Sequence, residues 1–106
     1  MAGRRPRAAR RARTRGHAAL VRDLERLARL EPGGSPDRPL AVESVAQVDV
    51  MATRRPCPLC EGNVRLVEHV AETVDGIRLR VAQIACTLCG VARARYYRLD
   101  EPPALH

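Results

Sequence analysis

Apolar positions along the chain follow two rhythms. Between residues 17 and 31, Leu20, Leu24, Leu27 and Ala28 recur at steps of three and four with Val21 beside them, which predicts an amphipathic helix over 17–31. Glu25 and Arg29 add a favourable i,i+4 pair. Pro32 disfavours helix in the residue before it and predicts the end of the element. The stretch 32–39, PGGSPDRP, reads as a linker, since proline and glycine fill most of it. The step then shortens to two. Over 40–55, Val48, Val50 and Ala52 alternate with Gln47, Asp49 and Met51, which predicts an extended lead-in, part of it a strand.

The alternation is clearest further on. VRLVEHVAETV (64–74) and IRLRVAQIA (77–85) flank Asp75-Gly76, a two-residue hairpin signal. That loop sets Val74 against Ile77 and Val70 against Val81, and carried onward it sets Arg65 against Cys86. One face then holds Val64, Leu66, Val70, Val74, Ile77, Leu79, Val81 and Ala85 and is expected to be buried. The other holds Arg65, His69, Thr73, Arg78 and Arg80, with Val67 and Ile84 nearer the cysteines, and is expected to be mostly wet. A third strand is expected at 91–99, VARARYYRL, in which one of Tyr96 and Tyr97 packs inward.

Composition changes this picture in one respect. The chain has no Phe or Trp and two Tyr, so bulky core fillers are nearly absent. A core in a module this small is marginal without a disulfide, metal or partner. The four cysteines supply the means. CPLCEG (57–62) and CTLCG (86–90) are matched Cys-x-x-Cys turns, and two such turns offer four thiolates, a full tetrahedral set for zinc. The glycines, Gly62 and Gly90, are expected where the backbone turns back with positive φ. The hairpin 61–85 is the excursion that returns the second pair, Cys86 and Cys89, to the first, Cys57 and Cys60. With four thiolates there is no open position for water or substrate, so the ion would be structural. In comparable modules such binding is worth roughly 10–16 kcal/mol and is a condition of folding. Iron in a rubredoxin-like centre and a pair of redox dithiols are the alternatives.

On these residues, Arg55 to Leu99 resembles a zinc ribbon, a three-stranded metal-bound module found in transcription factors, ribosomal proteins and enzyme appendages, and is similar to small bacterial ribbon proteins of unassigned activity. The resemblance implies a small metal-stabilised β fold, a three-stranded ribbon over 56–100 with an added N-terminal helix and an extra strand. It implies the ligand role for Cys57, Cys60, Cys86 and Cys89.

Charge points to partners. The formal charge is +7, and residues 1–16 carry it all: Arg4, Arg5, Arg7, Arg10, Arg11, Arg13 and Arg15 with no acid. The remaining arginines balance the acids, and there is no lysine. The segment 1–16 is expected to be disordered. It is an arm whose arginines contact nucleic-acid phosphates, a solvated tail, or a stretch upstream of the true translation start. Arg78, Arg80, Arg93, Arg95 and Arg98 would add phosphate contacts, and Arg54, Arg55, Arg93 and Arg95 flank the cysteines and would offset the anionic centre. Leu20, Leu24 and Leu27 offer a helix to a protein partner. No stretch is apolar enough to cross a membrane, and the compartment expected is the cytoplasm. His69 reads as a surface residue, and Glu68 and Glu72 as strand-edge residues without a third catalytic group. No enzyme and no small-molecule substrate are expected. The reading is a non-enzymatic structural-zinc module engaging nucleic acid or a transcription or translation assembly, with a protein–protein adaptor and a thiol–disulfide or rubredoxin-like electron carrier as alternatives. The tail 101–106 carries no motif.

Overall fold

The computed structural model describes residues 7–100; Arg4, Arg5 and the tail 101–106 lie outside them. The elements run α1 (Arg7–Leu30), β1 (Leu40–Val42), α2 (Val45–Arg54), β2 (Val64–Val74), β3 (Ile77–Cys86) and β4 (Ala92–Leu99). The strands form one mixed sheet in the order β1-β4-β3-β2. β2, β3 and β4 are antiparallel, and β1 joins β4 in parallel, Leu40 opposite Tyr97.

Two expectations give way to helix. α1 starts at Arg7, well inside the segment expected to be disordered. Arginine and alanine are strong helix formers, so the helix that carries the apolar stripe from Leu20 onward extends backward through a segment without a breaker except Gly16. The second correction is at 45–54, where α2 replaces most of the expected extended lead-in; only Leu40–Val42 is strand. Ser44 caps α2, its hydroxyl accepting from the Gln47 amide, and the Gln47 side chain accepts from the Glu43 amide. This satisfies amides that the first turn leaves open. Val48 and Ala52, four apart, are fully buried, whereas Val50 is 54% exposed. The period was therefore 3.6 and not two. α2 ends at Arg55, which is extended as the residue before Pro56 must be.

The hairpin turn forms as the sequence predicts, with Asp75 and Gly76 both at positive φ (50° and 80°). That is the type I′ geometry matched to strand twist. Val74 opposes Ile77 and Val70 opposes Val81. A bulge between Leu66 and Glu68 then takes up one residue, so Val64, not Arg65, stands opposite Cys86. Val67, at the bulge, is 55% exposed.

The bulge and α2 also correct the two faces. The central strand β3 is buried on both. Leu79 and Val81 are buried on the side expected, although Ile77 at the hairpin tip is exposed. The face expected to be wet carries Ala82, Ile84 and Cys86, and these join Val42, Val48, Ala52, Cys57, Val64 and Tyr97 in the core. α2 covers this face. His69 lies there too, half-buried, its Nδ1 2.7 Å from the Asp49 carboxylate on α2. Of the tyrosines, Tyr97 is the buried one, and burial raises its pKa.

The segment 32–39 is tied down. The Gly33 amide donates to the Arg38 carbonyl, the Tyr96 amide donates to the Gly33 carbonyl, and the Arg38 guanidinium caps the Leu30 carbonyl at the end of α1. Leu24, Leu27 and Ala28 of α1, with Glu31 just beyond it, thereby line a cleft shared with Pro56, Cys57, Pro58 and Glu61 of the first cysteine turn.

Candidate metal centre

The four cysteines meet at one end of the sheet. Cys57 follows α2 and Pro56, Cys60 ends the first turn, Cys86 is the last residue of β3, and Cys89 lies just before β4. The two turns share one hydrogen-bond plan. The Glu61 amide donates to the Cys57 carbonyl and the Gly90 amide to the Cys86 carbonyl, while the Cys57 amide donates to the Gly62 carbonyl and the Cys86 amide to the Val91 carbonyl. Each turn is a knuckle closed by two backbone bonds, presenting two sulfurs inward.

Positive φ falls at the residue after the second cysteine in both knuckles, Glu61 (62°) and Gly90 (78°). This corrects the expectation for Gly62. Its role is spatial: a Cβ there would sit 2.8 Å from the Leu88 Cβ, 3.1 Å from the Cys86 sulfur and 3.2 Å from the Cys60 sulfur. The first knuckle thus carries a strained glutamate, at a cost of about 1–2 kcal/mol for a left-handed non-glycine residue.

All four sulfurs lie within 4.8 Å of one another, the one such group of metal-ligating side chains among the described residues. The Cys57 and Cys89 sulfurs are 3.8 Å apart and those of Cys60 and Cys86 3.4 Å. Four sulfurs at 2.3 Å from a tetrahedral zinc stand about 3.8 Å from each other. The sulfurs are thus close enough together to hold one metal ion, and all are free thiols. Cys57 and Cys86 are buried, Cys60 is half-buried and Cys89 is exposed.

The thiols are electrostatically unequal. Cys86 is lowered to about 6, foremost by the Cys89 amide, with the Leu88 amide also donating to its sulfur and burial opposing. For Cys60 the Gly62 amide is the strongest influence and lowers the pKa. The Cys86 sulfur, burial, and the Cys89 and Cys57 sulfurs outweigh it and push Cys60 up to about 12. The Cys60 and Cys86 sulfurs share a hydrogen bond.

Beside the cluster is Arg95, the one charged side chain buried among the described residues, 7% exposed. Its guanidinium donates to the carbonyls of Ala52 (2.6 Å), Arg55 (2.9 Å) and Pro56 (3.1 Å). It therefore caps the C-terminus of α2 and fixes the chain that enters Cys57. Burial lowers its pKa; Tyr97 and Cys57 oppose this, and Arg55 and Arg93 add to it. Among the described residues no carboxylate is ion-paired with it. Arg93 is paired with Glu25 of α1. Neither arginine is free for phosphate, as the sequence reading had allowed; Arg55 reaches the Pro32 carbonyl, and Arg54, Arg78 and Arg98 are exposed.

The other expected contact residues are dispersed. Arg11, Arg13 and Arg15 are exposed on α1, and Arg7 and Arg10 lie in the same helix. Leu20 and Leu27 are 56% and 58% exposed, and Leu27 lines, with Leu24, the cleft of about 340 Å³ beside Pro56 and Cys57. Among the described residues no helix is long and apolar enough to cross a membrane. Sequence reasoning missed the Arg95 clamp and the Glu25–Arg93 pair, because neither has a local signature. No known family, curated protein or solved structure matches this chain.

Proposed function

We propose that the protein is a non-enzymatic module in which Cys57, Cys60, Cys86 and Cys89 hold one structural zinc ion, with β2, β3 and β4 as a zinc-ribbon-like core, and that the module engages nucleic acid. The observation carrying the metal role is the convergence of four sulfurs within 4.8 Å from two knuckles of the same design. The hydrogen-bonded sulfur pairs run between knuckles, Cys57 with Cys89 and Cys60 with Cys86, and not within either Cys-x-x-Cys. Full thiolate coordination leaves no site for a substrate. Support for the nucleic-acid role is the excess of seven arginines over 1–16 with no acid among them.

Native mass spectrometry of the purified protein tests the metal. One zinc per colourless chain is expected, with β-structure lost on chelation. A red, iron-containing protein or a chain four protons lighter without metal would replace this reading by the electron-carrier or disulfide one. Binding to nucleic acid is tested by fluorescence anisotropy over a salt series, with affinity falling steeply as salt rises. A second reading is an adaptor that grips a protein through α1, favoured by the exposure of Leu20 and Leu27. It predicts that Leu27→Glu abolishes a protein complex and leaves zinc in place.

A further inference from the structure

α1 joins the arginine-rich segment and the apolar stripe in one uninterrupted helix. At about 100° per residue, Arg11, Arg15, Arg22, Arg26 and Arg29 fall within an arc of about 60°. Their successive steps of four, seven, four and three residues return to the same face. From Arg11 to Arg29 the row is about 27 Å long at 1.5 Å per residue. All five side chains are exposed, and among the described residues none of them is ion-paired or hydrogen-bonded. The acid nearest this arc, Glu25, is taken by Arg93 of β4. That pair also anchors the helix, leaving the row of cations clear on its flank. Toward the N-terminus the helix projects free of the sheet: of the described side chains from Arg11 to Leu20, all but Ala19 are exposed.

We propose that α1 is a docking helix for double-stranded DNA, lying in the major groove with this row against the phosphates, and that Arg22, Arg26 and Arg29 contribute as much per residue as the arginines of the N-terminal arm. The proposal rests on the nucleic-acid reading above and extends it from a tail to a rigid helix. A helix is about 10–12 Å across with its side chains, and the major groove of B-DNA is about 12 Å wide. The deep, narrow major groove of duplex RNA does not admit it. Single strands are bound through stacking on aromatic side chains, and α1 has no Phe, Tyr or Trp. A bilayer surface needs an apolar face to insert; the exposed Leu20, Leu27 and Leu30 give one only to the C-terminal half of α1, and residues 7–16 contain no large apolar side chain. α1 has neither Asn nor Gln to read adenine, so binding is expected to depend weakly on sequence.

The test uses full-length, zinc-loaded protein and a fluorescein-labelled 24-base-pair DNA of arbitrary sequence, its single strand, the matching RNA duplex, and phosphatidylserine vesicles. Each phosphate contact contributes about 0.9 to the slope of log affinity against log salt. The combined variant Arg22→Gln, Arg26→Gln, Arg29→Gln is therefore expected to flatten the slope by about 2.7, and Arg11→Gln with Arg15→Gln by about 1.8. Between 50 and 200 mM salt, the first change corresponds to a difference of about 40-fold in the affinity lost. The exposed positions leave folding intact, checked by one zinc per chain and unchanged helical circular dichroism. If the three-residue variant keeps the wild-type slope while Arg11→Gln with Arg15→Gln does not, the helix-row proposal falls and the arm reading stands. If wild-type protein shows no salt-dependent binding to any nucleic acid, both fall. Equal or tighter binding to the single strand or the RNA duplex overturns groove docking, as does partition onto vesicles without DNA binding.

Discussion

Replacing Arg95 with leucine tests how the metal end of the molecule is held. Leucine roughly fills the volume of the aliphatic stem but removes three donors, to Ala52, Arg55 and Pro56. Net contributions of hydrogen bonds to charged groups are about 1.5–3 kcal/mol each, and a buried acceptor left unpaired bears the full desolvation cost. The Ala52 carbonyl lies in the buried part of the contact, whereas those of Arg55 and Pro56 are half-open and regain water. Counting the first in full and the other two at about 1 kcal/mol gives about 4 kcal/mol. That is a large part of the total stability of a small domain, about 5–15 kcal/mol. Urea unfolding of the zinc-loaded protein, followed by circular dichroism, measures it. Arg95→Lys is expected to recover less than half, because an ammonium cannot span three carbonyls with the fixed fork of a guanidinium. The same pair of proteins, competed for zinc against a chromophoric chelator, should show weaker binding in Arg95→Leu, since the cation beside the thiolates is gone. A loss below about 1 kcal/mol, or full rescue by lysine, would refute the clamp.

Three further outcomes follow from the knuckles. Gly62→Ala forces a Cβ against two ligand sulfurs, and at an overpacking cost of about 1–3 kcal/mol the zinc affinity should fall about 5- to 150-fold in the chelator assay; unchanged affinity would show that the knuckles yield freely. Gly90→Ala meets no neighbour within 4 Å, so it should cost about 1–2 kcal/mol from positive φ alone, read by urea unfolding, while Glu61→Gly should be neutral or stabilising.

Much of the β part was legible because its signals are local. Asp75-Gly76 fixes the turn, the alternation beside it fixes the first pairs, and the two Cys-x-x-Cys turns declare the centre. The register failed only past Leu66, where a bulge added a residue that no pattern of apolar positions announces. The segment 40–55 was misread for a different reason. Val48, Val50 and Ala52 satisfy a period of two, but Val45, Val48 and Ala52 satisfy 3.6 equally well. The deciding signal was present in Ser44 and Gln47, a capping pair three residues apart. Treating α2 as a strand then left the Ala82–Ile84–Cys86 face without a cover, so it was assigned to solvent. Arg95 was illegible in principle, since its three acceptors lie about 40 residues earlier in the chain.

The unequal burial of the four cysteines would set the route by which a bound ion leaves. Cys57 and Cys86 open their knuckles from inside the core, while Cys89 stands at the surface. Oxidants, alkylating reagents and competing thiols therefore meet Cys89 first. An ion held by all four would be reached from that side, with the buried sulfurs the last to be released, so the chemistry of a single exposed thiol would govern how long the folded module keeps its ion.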